Sequence, residues 1–242
     1  HPVDRRQRQM CIRDRSWTLT ALPLFVWMGE ILFRTKLSEN LFEGLAPWLQ
    51  KLPGGLIHVN VVGCALFAAI SGSSAATVAT VGKMSIPELR KRKYPEKILL
   101  GSLAGSGTLG LLIPPSIILI IYGVTVQESI AKLFIAGIIP GIMIALIFMG
   151  YVIIWSLLNK NKMPLTEENY SFLNKLSKSK QLIPVILLIL GVIGSIYTGI
   201  ATATEAASLG VVGALILSYF QKSLNLKTFK ESLLGATKTS CM

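Results

Sequence analysis

The sequence predicts an all-α integral membrane protein, and three observations carry that reading. Of its 242 residues 52% are hydrophobic and only 15% charged, with a mean hydropathy of +0.59, against roughly 25% charged in a soluble globular chain. Several stretches reach the ~20 apolar residues that a helix needs to cross a bilayer. The excess of base, 24 Lys and Arg against 12 Asp and Glu for a net charge of +12, sits between those stretches. There it acts as a positive-inside topology signal rather than as the footprint of a nucleic-acid-binding domain. Cys11, Cys64 and Cys241 show neither metal nor disulfide spacing. His1 and His58 are the only histidines, too few for most zinc or histidine-based catalysis.

Taken in order, residues 1–15 differ from everything after them. They hold five of the eight arginines and both aspartates, Asp4 and Asp14; beyond Arg15 the bases are almost all lysine and the acids all glutamate. That shift in usage reads as a non-native, adapter-like segment with no part in the fold; the competing reading is a basic juxtamembrane arm. Without it the charge is +9 on residues 16–242, and both ends of the chain read as cut. Residues 17–33 form a first apolar span closed by Arg34 and Lys36. In 37–52, Leu41, Phe42, Leu45, Trp48 and Leu49 recur at helical spacing among charges, as in a helix lying in the interface. Apolar segments follow at 54–84, 98–126, 133–158, 182–200 and 206–220, and 220–239 is again amphipathic and basic.

Charge orients these segments. The linkers 83–97 and 159–180 and the tail beyond Phe220 are lysine- and arginine-rich and are expected on the cytoplasmic side. The nearly uncharged connections 127–132 and 198–205 are expected to face outward.

The two longest apolar runs are both interrupted. A continuous helix of thirty residues would be about 45 Å long, against roughly 30 Å of hydrocarbon, and the run 54–84 carries Ser71-Gly72-Ser73-Ser74 at its middle. Serine and glycine weaken a helix there, and freed backbone groups must find partners in protein or a hydrated cavity. A re-entrant hairpin with its tip at 71–74 meets both facts; one long tilted helix with a small-residue packing face is the competing reading. The run 98–126 breaks at Gly105-Ser106-Gly107-Thr108-Leu109-Gly110-Leu111-Leu112-Ile113-Pro114-Pro115-Ser116. Neither proline donates a backbone hydrogen bond, so carbonyls from about Gly110 to Ile113 lose their helical donors. Hairpins and broken helices meeting near the midplane build the ion and substrate sites of secondary transporters. The oxygens of Ser71, Ser73 and Ser74, with the carbonyls before Pro114, suit Na⁺ without any buried carboxylate. The half-helix N-termini after Ser74 and Pro115 suit an organic anion.

The segments PGGLIHVNVVGCALFAAISGSSAATVATVGKMSIPEL, YPEKILLGSLAGSGTLGLLIPPSIILIIYGV and SIAKLFIAGIIPGIM resemble the large (M-type) permease subunit of tripartite ATP-independent periplasmic transporters. LPLFVWMGEIL upstream and YTGIATATEAASLGVVGAL downstream match the same family in the right order. The resemblance implies an elevator-type secondary transporter with two inverted repeats, each bearing a hairpin and a discontinuous helix, in the bacterial inner membrane. This chain then covers most of the first repeat and the start of the second, without the second hairpin. The resemblance also implies import of a carboxylate such as a C4-dicarboxylate or sialic acid, driven by a Na⁺ gradient. The implied partners are a small permease subunit and a periplasmic solute-binding protein, with no cofactor beyond the coupling ion. Carried over by motif, the binding region is Ser71, Gly72, Ser73 and Ser74 with Gly110, Ile113, Pro114, Pro115 and Ser116, and Na⁺ sits at Ser71, Ser74, Gly110, Ile113 and Pro114.

Glu30 and Glu205 are the acidic residues nearest the membrane interior. Glu30 precedes Arg34 by four residues, the spacing of a structural pair; Glu205 stands in a first helical turn, where a carboxylate is ordinary dipole chemistry. His58 and Cys64 read as structural, and the tryptophans as interface anchors. With no H-E-x-x-H, no Asp in any span and no histidine beside a serine, an intramembrane enzyme is excluded. A channel and a sodium–dicarboxylate symporter that needs no binding protein remain the alternatives.

Overall fold

A computed structural model describes residues 19–35, 37–160, 163–164, 179–180 and 182–241. The segment 1–15, Trp17 and most of the lysine-rich linker 159–180 lie outside the described residues. Among those described, the secondary structure is helical and no strand occurs. The first elements are α1 (Ala21–Arg34), α2 (Leu37–Leu49), α3 (Ile57–Ser71) and α4 (Ser74–Lys91). After them come α5 (Glu96–Gly107), a 3-10 turn (Thr108–Leu111) and α6 (Ile117–Val126). The chain continues through α7 (Ile130–Leu158), α8 (Ile183–Tyr197), α9 (Ala203–Phe220) and α10 (Leu226–Ser240).

The long run 54–84 is two helices joined by Gly72 and Ser73, and α3 packs directly on α4. Helix α3 starts at Ile57 because Gly54 and Gly55 are both in left-handed conformations, φ +107° and +56°, which end any helical continuation backwards. Helix α4 does not stop at Met84 where apolarity ends; it runs through Pro87 to Lys91. Apolarity marks where the chain is shielded from water, whereas winding continues on charged residues. The Glu88–Arg92 ion pair at 2.8 Å and the cations Arg90 and Lys91 in the last turn favour that continuation. The run 98–126 is divided as its sequence suggests, into α5, the 3-10 turn and α6.

Helix α1 packs chiefly against α9 and α10, and α8 against α9. Helices α3, α4 and α5 form a second tight group, with α7 lying along α3, α5 and α6. Phe25, Met28, Phe67, Leu99 and Phe134 are among the fully buried side chains. Among the described residues, charged connections approach one another at several points. Arg34 pairs with Glu231 at 3.1 Å, and Lys83 lies 5.9 Å from the Phe33 ring centroid. The Leu56 N–H donates to the Tyr94 hydroxyl at 3.2 Å, and a cavity of about 500 Å³ brings Lys51, Tyr94, Ser156 and Met163 together. The connections 127–129 and 198–202 lie at the other ends of α6, α7, α8 and α9.

Helix α7, with 29 residues, and α9, with 18, are long and apolar enough to cross a membrane; α3, α6 and α8 are shorter apolar helices. At 1.5 Å per residue the 15 residues of α8 span only about 22 Å, so the 182–200 segment is a shorter helix than its apolarity suggested. Helix α7 exposes Ile135, Ile139 (76%), Ile142, Leu146 and Ile154, and α9 exposes Leu209 and Tyr219. Continuous apolar faces of that kind on the outside of a fold call for a lipid or protein covering.

With native cysteines replaced by serine in the full-length protein, Lys91→Cys and Glu128→Cys should label from opposite faces of the membrane. A membrane-impermeant maleimide is expected to reach Glu128→Cys in intact cells and Lys91→Cys only after permeabilisation. Labelling of both from one face contradicts the arrangement.

Candidate functional site

The tip of the α3–α4 hairpin and the break between α5 and α6 meet backbone to backbone. Helix α3 ends on Gly72 in the left-handed region, φ +59°, whose N–H closes onto the Ala68 carbonyl. The Gly72 carbonyl then accepts from the Ile117 N–H at 3.3 Å, the first amide of α6 and one that no residue of α6 can satisfy. A Cβ on Gly72 would stand 2.8 Å from the Pro115 carbonyl oxygen, so only glycine permits the approach. On the other side of the tip, a Cβ on Gly110 would stand 3.0 Å from the Ser74 nitrogen and Cα.

Three oxygens form a compact group at the tip. The Thr77 and Ser71 hydroxyls both reach the Ser73 carbonyl, at 2.8 and 3.3 Å, and lie 2.9 Å from each other, so either one donates to the other while its partner donates to that carbonyl. The Ser73 N–H in turn donates to Ser71 Oγ at 3.4 Å. Ser71 is 2% exposed and Thr77 0%. In the break, a cis peptide joins Pro114 and Pro115. The prolines lack the N–H groups that would bond the carbonyls of Gly110 and Leu111 in a continuous helix. The fully buried Ser116 hydroxyl takes over at Leu111, donating to its carbonyl at 2.8 Å, while Leu109 accepts from Leu112 at 3.1 Å and Ile113 at 2.9 Å.

Ser71, Gly72, Ser73, Ser74, Gly110, Pro115 and Ser116 therefore belong to one junction. The side chains of Ile113 and Pro114 face α7: a Cβ on Gly141 would lie 3.0 Å from Ile113 Cγ1, and one on Gly137 3.7 Å from Pro114 Cγ and 2.7 Å from the Leu112 carbonyl oxygen. The Gly137/Gly141 pair, and Thr77 with its hydroxyl four residues after Ser73, are members that sequence reasoning missed. Both carried a signal, a small-x-x-x-small packing motif and an i, i+4 hydroxyl-to-carbonyl spacing. Gly29 on α1, whose Cβ would lie 2.7 Å from the Ser71 Cα, carried none.

Glu30 and Glu205 stand apart from the junction. Glu30 pairs with Arg34 at 3.1 Å, which also holds Glu231 of α10, and its carboxylate packs over Gly235. Glu205 is exposed and completes a capping box: its Oε2 accepts from the Thr202 N–H at 2.8 Å and its own N–H donates back to Thr202. His58 is buried with Nε2 2.8 Å from the Pro53 carbonyl oxygen. Trp27, expected at an interface, instead stacks edge-on with Phe229 and donates to Ser232.

Residues 71–82 and 105–117 contain no ionisable side chain, and among the described residues no group of three His, Cys, Asp or Glu could hold a metal. The junction offers hydroxyl and carbonyl oxygens only, the donor set of a hard cation. Two helices, α4 and α6, begin beside it and turn their positive ends toward it.

Comparison with known proteins adds to this geometry. The profile of the family described as "Tripartite ATP-independent periplasmic transporter, DctM component" matches residues 7–242, so the match begins inside the segment 1–15, expected from its residue usage to fall outside it. A C4-dicarboxylate transporter large permease protein from Pseudomonas aeruginosa is 34% identical over 95% of this chain and 53% of its own length. An isethionate transporter permease protein, DctMQ, from Oleidesulfovibrio alaskensis is 36% identical over 94% of this chain and 36% of its own length. A sialic acid transporter permease protein from Haemophilus influenzae is also 36% identical, over 91% and 36%. The chain thus spans about half the length of the Pseudomonas relative, and less of the two longer ones.

Thr77→Val keeps the shape but removes the hydroxyl; the Ser73 carbonyl retains the N–H of residue 77 at 3.0 Å and the Ser71 hydroxyl at 3.3 Å, so one hydrogen bond is lost without leaving a buried group unsatisfied. The expected loss is about 0.5–1.5 kcal/mol, the net value of one hydrogen bond, read as a lower thermal midpoint of the purified full-length protein; an unchanged midpoint contradicts the shared network.

Proposed function

Because the chain belongs to the DctM component family of tripartite ATP-independent periplasmic transporters, we propose that it is part of a Na⁺-coupled permease and carries one of its ion half-sites. That permease imports an organic anion handed over by a periplasmic solute-binding protein. The observation that carries this reading is the junction itself: a neutral, oxygen-lined meeting of hairpin tip and broken helix, with two helix N-termini turned toward it. Ser71 and Ser74, with the carbonyls of Gly110, Ile113 and Pro114, hold the coupling ion. The bound Na⁺ supplies positive charge that lets an anion enter a site lacking basic side chains. Helix dipoles at Ser74 and Ile117 add to that attraction. The molecules named for three relatives, C4-dicarboxylate, isethionate and sialic acid, are all organic anions, which fits a site built for charge rather than for one skeleton.

The remaining parts of the reading follow from the family. The permease lies in the bacterial inner membrane beside a small permease subunit, a pairing to which the fused name of the Oleidesulfovibrio relative also points. The hairpin, α5 and α6 travel together in the family's elevator-type movement. The exposed apolar faces of α7 and α9 meet lipid or the small subunit. No enzyme chemistry and no cofactor beyond the ion are involved.

The full-length permease, with its two partner proteins in proteoliposomes, should take up substrate saturably under an imposed Na⁺ gradient and not under a choline gradient. Ser71→Ala should raise the half-saturating Na⁺ concentration roughly fivefold, the factor corresponding to the ~1 kcal/mol net contribution of one neutral oxygen partner. Unchanged sodium activation removes Ser71 from the site. Ohmic, sodium-independent flux overturns the carrier in favour of a channel, and full uptake without the binding protein favours a self-sufficient symporter.

A further inference from the structure

We infer that Gly29 of α1 is a positioning residue for the ion-binding tip. Its missing side chain lets α1 press against the backbone of Ser71 and fixes where the Ser71 hydroxyl points. A Cβ on Gly29 would lie 2.7 Å from the Ser71 Cα and 3.0 Å from its Cβ, so one of the two segments must yield to any larger residue. Helix α1 has nowhere to go. On another face of α1 a Cβ on Gly210 of α9 would lie 2.5 Å from Met28 Sδ, so α1 and α9 are already in close contact. Trp27 is held by Phe229 and Ser232 of α10, and Arg34 by Glu231. The hairpin tip is therefore the part that moves. Displacing Ser71 disturbs its contacts to Thr77 and Ser73 and pulls on the Gly72 carbonyl that holds Ile117. Gly29 thus completes a socket whose other walls are Gly110 and the Pro115 carbonyl, and it couples the bundle of α1, α9 and α10 to the ion site. The consequence for ion affinity rests on the proposed Na⁺ coupling; the positioning of the tip does not.

The test uses the full-length permease with its partner proteins in proteoliposomes. A misplacement of about 1 Å can cost a hundredfold in a positioned site, so a shift of a few tenths should raise the half-saturating Na⁺ of Gly29→Ala by roughly threefold or more. Gly210→Ala loads α1 on a different face through the flexible end of Met28, and Gly101→Ala adds a methyl where nothing lies within 4 Å. Both should leave the half-saturating Na⁺ near the wild-type value. Gly29→Ala should also speed hydrogen exchange at residues 72–78, which requires no sodium dependence. Unchanged exchange and unchanged half-saturation overturn the inference. Faster exchange in a permease without sodium activation sustains the positioning and sinks the ion coupling instead. Should Gly29→Ala fail to assemble, the wild type decides without sodium: amides of 27–32 and 71–78 must open to exchange as one cooperative unit with a common denaturant dependence, and separate opening of 71–78 overturns the inference.

Discussion

The hydrogen bond from the Ile117 amide to the Gly72 carbonyl, 3.3 Å long, is the constraint around which the rest of this fold is arranged. Each side of it is a helix end that has given up its own continuation, α3 at a left-handed glycine and α6 behind two prolines. Away from water an unsatisfied backbone group costs several kcal/mol, so neither break is tolerable alone. Together they satisfy each other. The approach is a backbone contact, which is why Gly72 and Gly110 stand where any side chain would hold the segments apart. The polar surface left over consists of hydroxyls and carbonyls with no formal charge, and that is what makes the junction suited to a small cation.

Two packing groups meet across this junction. In one, Asn60 of α3 donates to Ser102 Oγ at 3.1 Å and to the Leu99 carbonyl at 3.4 Å, tying the first hairpin arm to α5. Tyr94 braces the hairpin base by accepting from Leu56. In the other, α1 is fixed to α9 and α10 by close packing, a ring contact and an ion-pair chain through Glu30, Arg34 and Glu231. Carboxylates that looked like candidates for transport chemistry are used up in this second group or, like Glu205, in capping a helix. The site chemistry is left to neutral oxygens.

Much of the junction was legible in the sequence because the signals are local. Four small residues in an apolar run and a Pro-Pro pair behind glycines locate both breaks, and the structure sets them at Gly72–Ser73 and 112–116. Boundaries were less legible where hydropathy and winding part company, as at α4, which continues seven residues past Met84 to Lys91. Thr77 could have been found from its spacing to Ser73. Gly29 could not, since its role depends on α1 meeting a tip more than forty residues away in the chain. The Glu30–Arg34 pair was readable at i, i+4, but its third member, Glu231, lies 197 positions beyond Arg34. Trp27 misled for the same reason: the helix that covers it is the last one described.

The most direct measurement is an electron cryo-microscopy map of the full-length permease in lipid nanodiscs, recorded in Na⁺ and again in choline. The expected result is a cation density in Na⁺ alone, bounded by oxygens from both 71–77 and 110–116, with the Ile117 amide still bonded to the Gly72 carbonyl. Ion density bounded by only one of the two segments, or a hairpin tip withdrawn from the break in Na⁺, would contradict a shared site at the junction.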